Sequence, residues 1–346
     1  MRRVACGNFH GVGEDSARSG RARTKRTTLA INSRGRVIAL VGVMIEIGRI
    51  LCPVDFSEPS LRALQQASTL ARWYQSALTA LYVDTALPVG GGGDVGAFAV
   101  APTAVLEAAR STRIVDDLRG FVRRVVHGSG VDVEVEEARD VADAILRRAV
   151  TLGADLIVMG THGRTGINRW FVGSVAERVL RRAASPVMVV PPHDKVPTST
   201  VAFKHILCAI DFSDSSLAAL RWALSLAEEA DAHLWLLHTI EVPPELRVSA
   251  VVTEDEIDEL NASAHADALS RLRSLIPEEA ARFCSIEPAT TTGEAAHTIL
   301  KFAVEHETDL IVMGAQGHGA VDRFVFGSKT RDVIAGTTCP VLTVRR

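Results

Sequence analysis

The sequence predicts an α/β protein built from two tandem copies of one parallel-sheet domain, and three observations carry that prediction. A glycine loop, Gly160–Ser174 (GTHGRTGINRWFVGS), returns as Gly314–Ser328 (GAQGHGAVDRFVFGS), and both copies read GxxG, nine residues, Gly-Ser. Landmarks elsewhere keep nearly the same spacing: Asp55 and Asp211 lie 156 residues apart, whereas Gly160 and Gly314, like Gly173 and Gly327, lie 154 apart. The halves therefore align end to end with a net difference of two residues, which is a duplication. Within each half, nearly continuous apolar strands alternate with helical patterns, the mark of a parallel sheet covered by helices on both faces.

In chain order, residues 1–43 come first and have no repeat partner. They hold nine Arg or Lys against two acids, a balance of +7 that leaves −10 for the remainder of a chain whose net charge is −3. Three readings stay open for this leader: a disordered basic arm, an Arg-rich targeting peptide, or, the one we favour, a gene start assigned too early with translation beginning at Met44.

The first repeat opens with the strand Arg49–Val54 and a polar turn at Asp55-Phe56-Ser57; the second opens with His205–Ile210 and Asp211-Phe212-Ser213. A helix follows each, with Ser57 or Ser213 as its cap, and Pro59 is tolerated because it falls in the first turn. Second strands are expected at Ala77–Val83 and His233–Thr239, followed by divergent surface loops holding Gly90–Gly93 in one half and Pro243-Pro244 in the other. Long helices at Val105–His127 and Glu254–Leu275 lead to third strands at Val131–Glu136 and Cys284–Glu287. Short helices at Val141–Leu152 and Ala295–Glu307 enter the strands that precede the glycine loops, and the last strands are Pro186–Val190 and Pro340–Val344. The resulting division is 1–45 basic extension, 46–191 first domain, 192–203 proline-bearing linker and 204–346 second domain.

The composition, 47% hydrophobic and 23% charged, is that of a globular chain, and its small net charge gives no broad field for nucleic acid or for a membrane surface. No run approaches the roughly 20 apolar residues that span a bilayer. Five cysteines show no CxxC and no zinc spacing; Cys52 and Cys208 occupy the same place in the two repeats, in strands that should be buried, so packing is their expected role. The expected location is cytoplasmic.

Strand, glycine loop, helix is an order that binds anions: glycines let the backbone approach a ligand, and the unpaired N–H groups of a new helix favour negative charge. A tight strand-to-helix turn is the alternative for one copy, and two copies with identical spacing favour a bound nucleotide phosphate.

With these residues in view, the chain resembles two universal stress protein domains in tandem, from about Glu46 to Val190 and from Lys204 to Arg346. The specific part is the GxxG, nine residues, Gly-Ser motif of the family's ATP-binding branch, supported by the strand-end Asp and the closing Ser-Pro-Val or Cys-Pro-Val. The resemblance implies a Rossmann-like fold of the adenine nucleotide alpha hydrolase-like type, each domain a five-stranded parallel sheet of order 3-2-1-4-5. It implies that Asp55 and Asp211 lie near the adenosine, with Pro53 and Ala209 at the neighbouring strand end and Val83 and Thr239 near the base. Met159-Gly160 and Met313-Gly314 match the turn under the nucleotide, Gly163 and Gly317 begin the ribose-phosphate loop, and Gly173-Ser174 and Gly327-Ser328 cradle phosphate. An alternative for Asp55 and Asp211 is helix capping through the neighbourhood of Ser57 and Ser213, and for Ser174 and Ser328 it is an N-cap; both are compatible with binding. Ala209 replaces the first half's proline, Gln316 replaces His162, and Lys329 stands where the first half has Val175, so stronger phosphate engagement is expected in the second half.

The function this implies is that of an ATP-binding regulator of stress adaptation, with Mg²⁺ accompanying the nucleotide and an unidentified protein as partner. The rival is a slow ATP hydrolase or adenylate-transferring enzyme using the same crevice, although no catalytic constellation or metal cluster stands out and Gly327-Ser328-Lys329-Thr330 lacks the upstream glycine spacing of a P-loop. In the family, domains pair through the last strand, so the two halves are expected to form an internal pseudo-dimer, with a homodimer of chains as a further step.

Overall fold

The computed structural model describes residues 27–31, 37–41, 45–85, 100–126, 130–161, 172–192, 203–241, 254–278, 280–282, 284–317 and 326–345. In the leader, β1 (Thr27–Ile31) and β2 (Val37–Val41) pair antiparallel as a separate two-stranded sheet. The first repeat then runs β3 (Arg49–Val54), α1 (Glu58–Tyr74), β4 (Ala77–Asp84), α2 (Val100–Arg123), β5 (Val131–Glu137), α3 (Val141–Leu152), β6 (Leu156–Gly160), α4 (Ser174–Arg182) and β7 (Val187–Val190). The second runs β8 (His205–Ala209), α5 (Asp214–Ala230), β9 (His233–Ile240), α6 (Glu254–Ser274), β10 (Ser285–Thr292), α7 (Ala295–Glu305), β11 (Leu310–Gly314), α8 (Ser328–Gly336) and β12 (Val341–Val344).

Local chemistry sets the helix limits. Ser57 and Ser213 are N-caps whose hydroxyl oxygens accept from the N–H of Ser60 (3.3 Å) and Ser216 (3.2 Å). Their helices end where Gln75 (φ 54°) and Asp231 (φ 49°) turn left-handed and return their N–H to Ala71 and Ala227. Asp140 caps α3, which stops at the left-handed Gly153, and Glu294 caps α7.

All the long strands join one ten-stranded sheet of order β10-β9-β8-β11-β12-β7-β6-β3-β4-β5. Within each half the strands are parallel and follow the expected 3-2-1-4-5 order. The halves meet where β7 and β12 pair antiparallel, Val187 opposite Thr343 and Val189 opposite Val341. Thr343 Oγ1 donates to the Val187 carbonyl at 3.1 Å, and Arg345 Nη2 donates to the Leu180 carbonyl at the end of α4 at 3.0 Å. Two apolar layers flank the sheet, and each runs through both halves: one under α1, α2, α5 and α6 around Leu64, Leu70, Leu220 and Ile206, the other under α3, α4, α7 and α8 around Ile157, Leu180, Ile311 and Val333. Each fully buried Leu or Ile of these layers contributes about 1.5–3 kcal/mol relative to exposure. Cys52 and Cys208 are among them, fully buried, and burial pushes both thiols far above the ordinary cysteine value, as packing residues require.

Three elements depart from expectation: β1 and β2 form in the leader, α2 spans Val100–Arg123 rather than Val105–His127, and β10 continues to Thr292 rather than stopping at Glu287, pairing residue by residue with β9. Because β10 is an edge strand, Pro288 costs the sheet no ladder bond on its solvent side. The linker between the domains lies largely outside the described residues.

Candidate functional site

Two matched cavities open at the carboxyl ends of the central strands, one in each half, where the strand order reverses between β3 and β6 or between β8 and β11. The first encloses about 340 Å³ and the second about 590 Å³, both within the range of small-molecule sites.

Each begins with the same turn. After β3 or β8 the chain passes through Phe56 (φ 64°) or Phe212 (φ 61°), left-handed conformations that a bulky residue adopts only under tertiary constraint. The rings provide that constraint: Phe56 packs on Tyr82 (4.7 Å) and Phe121 (5.5 Å), while Phe212 packs on His238 (4.8 Å) beneath the Arg271 guanidinium (3.7 Å). This turn fixes the acid that precedes it. Asp55 Oδ1 accepts from the Ser57 N–H at 3.1 Å and from its hydroxyl; Asp211 Oδ1 accepts from the Ser213 N–H (3.0 Å) and hydroxyl (2.6 Å). Ser57 and Ser213 cap the helices, and the aspartates orient the caps while lining the cavities.

The opposite wall comes from β6 or β11 and the helix after the glycine loop. Gly160 and Gly314 end those strands against the first turn of α1 or α5: a Cβ at 160 would stand 3.1 Å from the Pro59 carbonyl carbon, and one at 314 would stand 2.9 Å from both Ser215 C and Ser216 N. Gly317 passes equally close to Asp211, where a Cβ would meet Oδ2 at 3.0 Å. Helices α4 and α8 then begin at Gly173 and Gly327, and neither has a side-chain cap, in contrast to α1, α3, α5 and α7. Ser174, Val175 and Ala176, and likewise Ser328, Lys329 and Thr330, line the cavities. Two helix starts whose N–H groups take no side-chain partner thus face the two cavities, poised for an anion.

The structure brings Pro53, Asp55, Val83, Met159, Gly160, Gly173, Ser174 and Val175 around the first cavity. It brings Ala209, Asp211, Thr239, Met313, Gly314, Gly317, Gly327, Ser328 and Lys329 around the second. Gly163 lies outside the described residues. Sequence reasoning missed Ser60 and Ser216, Tyr82 and His238, Thr85 and Glu241, and the helix residues Val141, Ile145, Ala295 and Ile299, all of which line these walls. The repeat register could have found them, since each first-half residue has its second-half counterpart in the same wall. His238 Nδ1 donates to the Ile210 carbonyl at 2.7 Å, which fixes the hydrogen on that nitrogen. Lys329 has a partner of its own: its ammonium forms an ion pair with Glu241.

Comparison with known proteins follows the same division. A model of the universal stress protein family matches residues 46–191 and again residues 202–345. The chain is similar to the universal stress protein YxiE of Bacillus subtilis, 35% identical over 147 residues that cover 41% of this chain and 99% of that protein. It is also 31% identical over 144 residues to a universal stress protein of Methanocaldococcus jannaschii, covering 42% of this chain and 83% of the relative. Among solved structures, a universal stress protein from Archaeoglobus fulgidus superposes with a TM-score of 0.58 at 20% identity, over 87% of this chain and all of that one, a likeness of fold across both halves.

Proposed function

Because the chain belongs to the universal stress protein family, we propose that it is an ATP-binding regulator of stress adaptation that holds one nucleotide in each half. The observation that supports this most is the pair of uncapped helix starts at Gly173-Ser174 and Gly327-Ser328, each facing a cavity whose lining includes an oriented carboxylate. An uncapped helix start favours the phosphates, through N–H donors and the helix dipole, with the Ser174 or Ser328 hydroxyl as an added donor. A carboxylate held by its own turn accepts from ribose hydroxyls or from the adenine amino group, so Asp55 and Asp211 set the nucleoside end. Val83, with Leu81 and Ile145, and in the other half Thr239, with Leu237 and Ile299, give the base an apolar slot.

Mg²⁺ would neutralise part of the triphosphate charge, with phosphate oxygens and water as its ligands. Among the described residues no group of three His, Cys, Asp or Glu is placed to hold a metal. The regulatory output is the occupancy itself, read by a protein partner.

The test is to purify the full chain without added nucleotide, denature it, and identify and count what it releases. Close to two ATP per chain is the expected result, with Val175→Glu and Lys329→Glu each removing one by setting a carboxylate at a phosphate-facing helix start. No released nucleotide, together with no binding in a titration with Mg-ATP, would sink the reading.

A further inference from the structure

The two cavities match in their backbone turns but not in their charges. In the first, the residues at the mouth beside the helix start are Thr85 and Val175, both neutral. In the second, the same repeat positions carry Glu241 and Lys329, and the two side chains form an ion pair across the cavity mouth, each about half exposed. Glu241 also accepts from the Ala295 N–H, the first of α7, at 3.2 Å. A single carboxylate oxygen, Oε1, thereby takes the lysine, the charged donor that phosphates at the α8 start would use, together with the first N–H of α7.

Building on the nucleotide reading above, we infer that Glu241 is a built-in competitor for the polyphosphate in the second cavity. It occupies Lys329 and sets a negative charge beside the phosphates, so that this site binds ATP more weakly than its lysine alone would allow and is more salt-sensitive. The lysine alone would make the second site the tighter one; its pairing with Glu241 offsets that gain. An exposed ion pair contributes little by itself, so the device is a modest bias and not a block.

Glu241→Gln isolates the charge, because the amide oxygen still accepts from Ala295. The measurement is calorimetric titration of the full-length chain carrying Val175→Glu, which closes the first site, with and without Glu241→Gln. The titrants are ATP and adenosine, each in low and high salt and with and without Mg²⁺. The expected result is a gain of about three- to tenfold in ATP affinity at low ionic strength, shrinking at about 0.5 M salt, with adenosine affinity unchanged. Unchanged ATP affinity overturns the inference. So does an equal change for adenosine, which would make the pair a shaper of the cavity, and so does weaker binding confined to Mg-ATP, which would make Glu241 a metal-holding group. Those three outcomes leave the nucleotide reading standing; absence of ATP binding in the unsubstituted chain would remove both.

Discussion

A methyl group at position 314 meets helix backbone at closer range, with Ser215 C and Ser216 N at 2.9 Å, than the same group at position 160, which meets the Pro59 carbonyl carbon at 3.1 Å and its oxygen at 3.2 Å. Backbone in the first turn of a packed helix moves only by shifting the helix. Gly314→Ala is therefore expected to cost about 1–3 kcal/mol in chemical denaturation, and Gly160→Ala less. Equal costs would mean that α5 slides freely over β11. Both glycines were legible in the sequence because the repeat displayed them twice. Glu241 was not: its repeat partner is the neutral Thr85, and its contact with Lys329 joins positions 88 residues apart, a proximity that only the closed sheet creates.

Side-chain caps mark the starts of α1, α3, α5 and α7, whereas the starts of α4 and α8 at Gly173 and Gly327 have none. Asp140 accepts from the Asp143 N–H at 2.9 Å and from Arg178 Nη1 at 2.6 Å, tying the start of α3 to the side of α4. The Asp143 N–H first, and the Arg178 guanidinium second, hold the Asp140 carboxyl below its ordinary value of 3.8. A carboxyl depressed in the folded state stabilises above its unfolded value and loses that contribution as pH falls through the folded one. The stability difference between the unsubstituted chain and Asp140→Asn should thus be constant near neutrality and shrink below about pH 4, in urea denaturation followed across pH. A difference that grows toward acid would contradict the assignment. Element existence was readable in both repeats, because strand periodicity and caps are local, but not in the leader, where the pair β1 and β2 was not expected. The end of β10 was not readable, because Pro288 interrupts the pattern and the β-branched run Thr290–Thr292 lacks an apolar alternation, so that pairing with β9 decides it.

Across the whole molecule, the joint at β7 and β12 makes one sheet of two halves, and both apolar layers run through it. Further contacts cross the same divide: the Ile45 N–H donates to Ser225 Oγ at 3.0 Å, and Trp73 meets Phe203 edge to face at 6.5 Å. The full chain is expected to melt in one calorimetric transition whose calorimetric and van't Hoff enthalpies agree, and Thr343→Pro, which removes a ladder donor and the hydroxyl bonded to Val187, should split it in two. Two transitions in the unsubstituted chain would show that the joint does not couple the halves. The antiparallel sense of that joint has one more result. Strands of the first half point their carboxyl ends one way along the sheet and strands of the second point theirs the other way, so at the joint each half's cavity-bearing edge continues into the amino ends of the other half's strands.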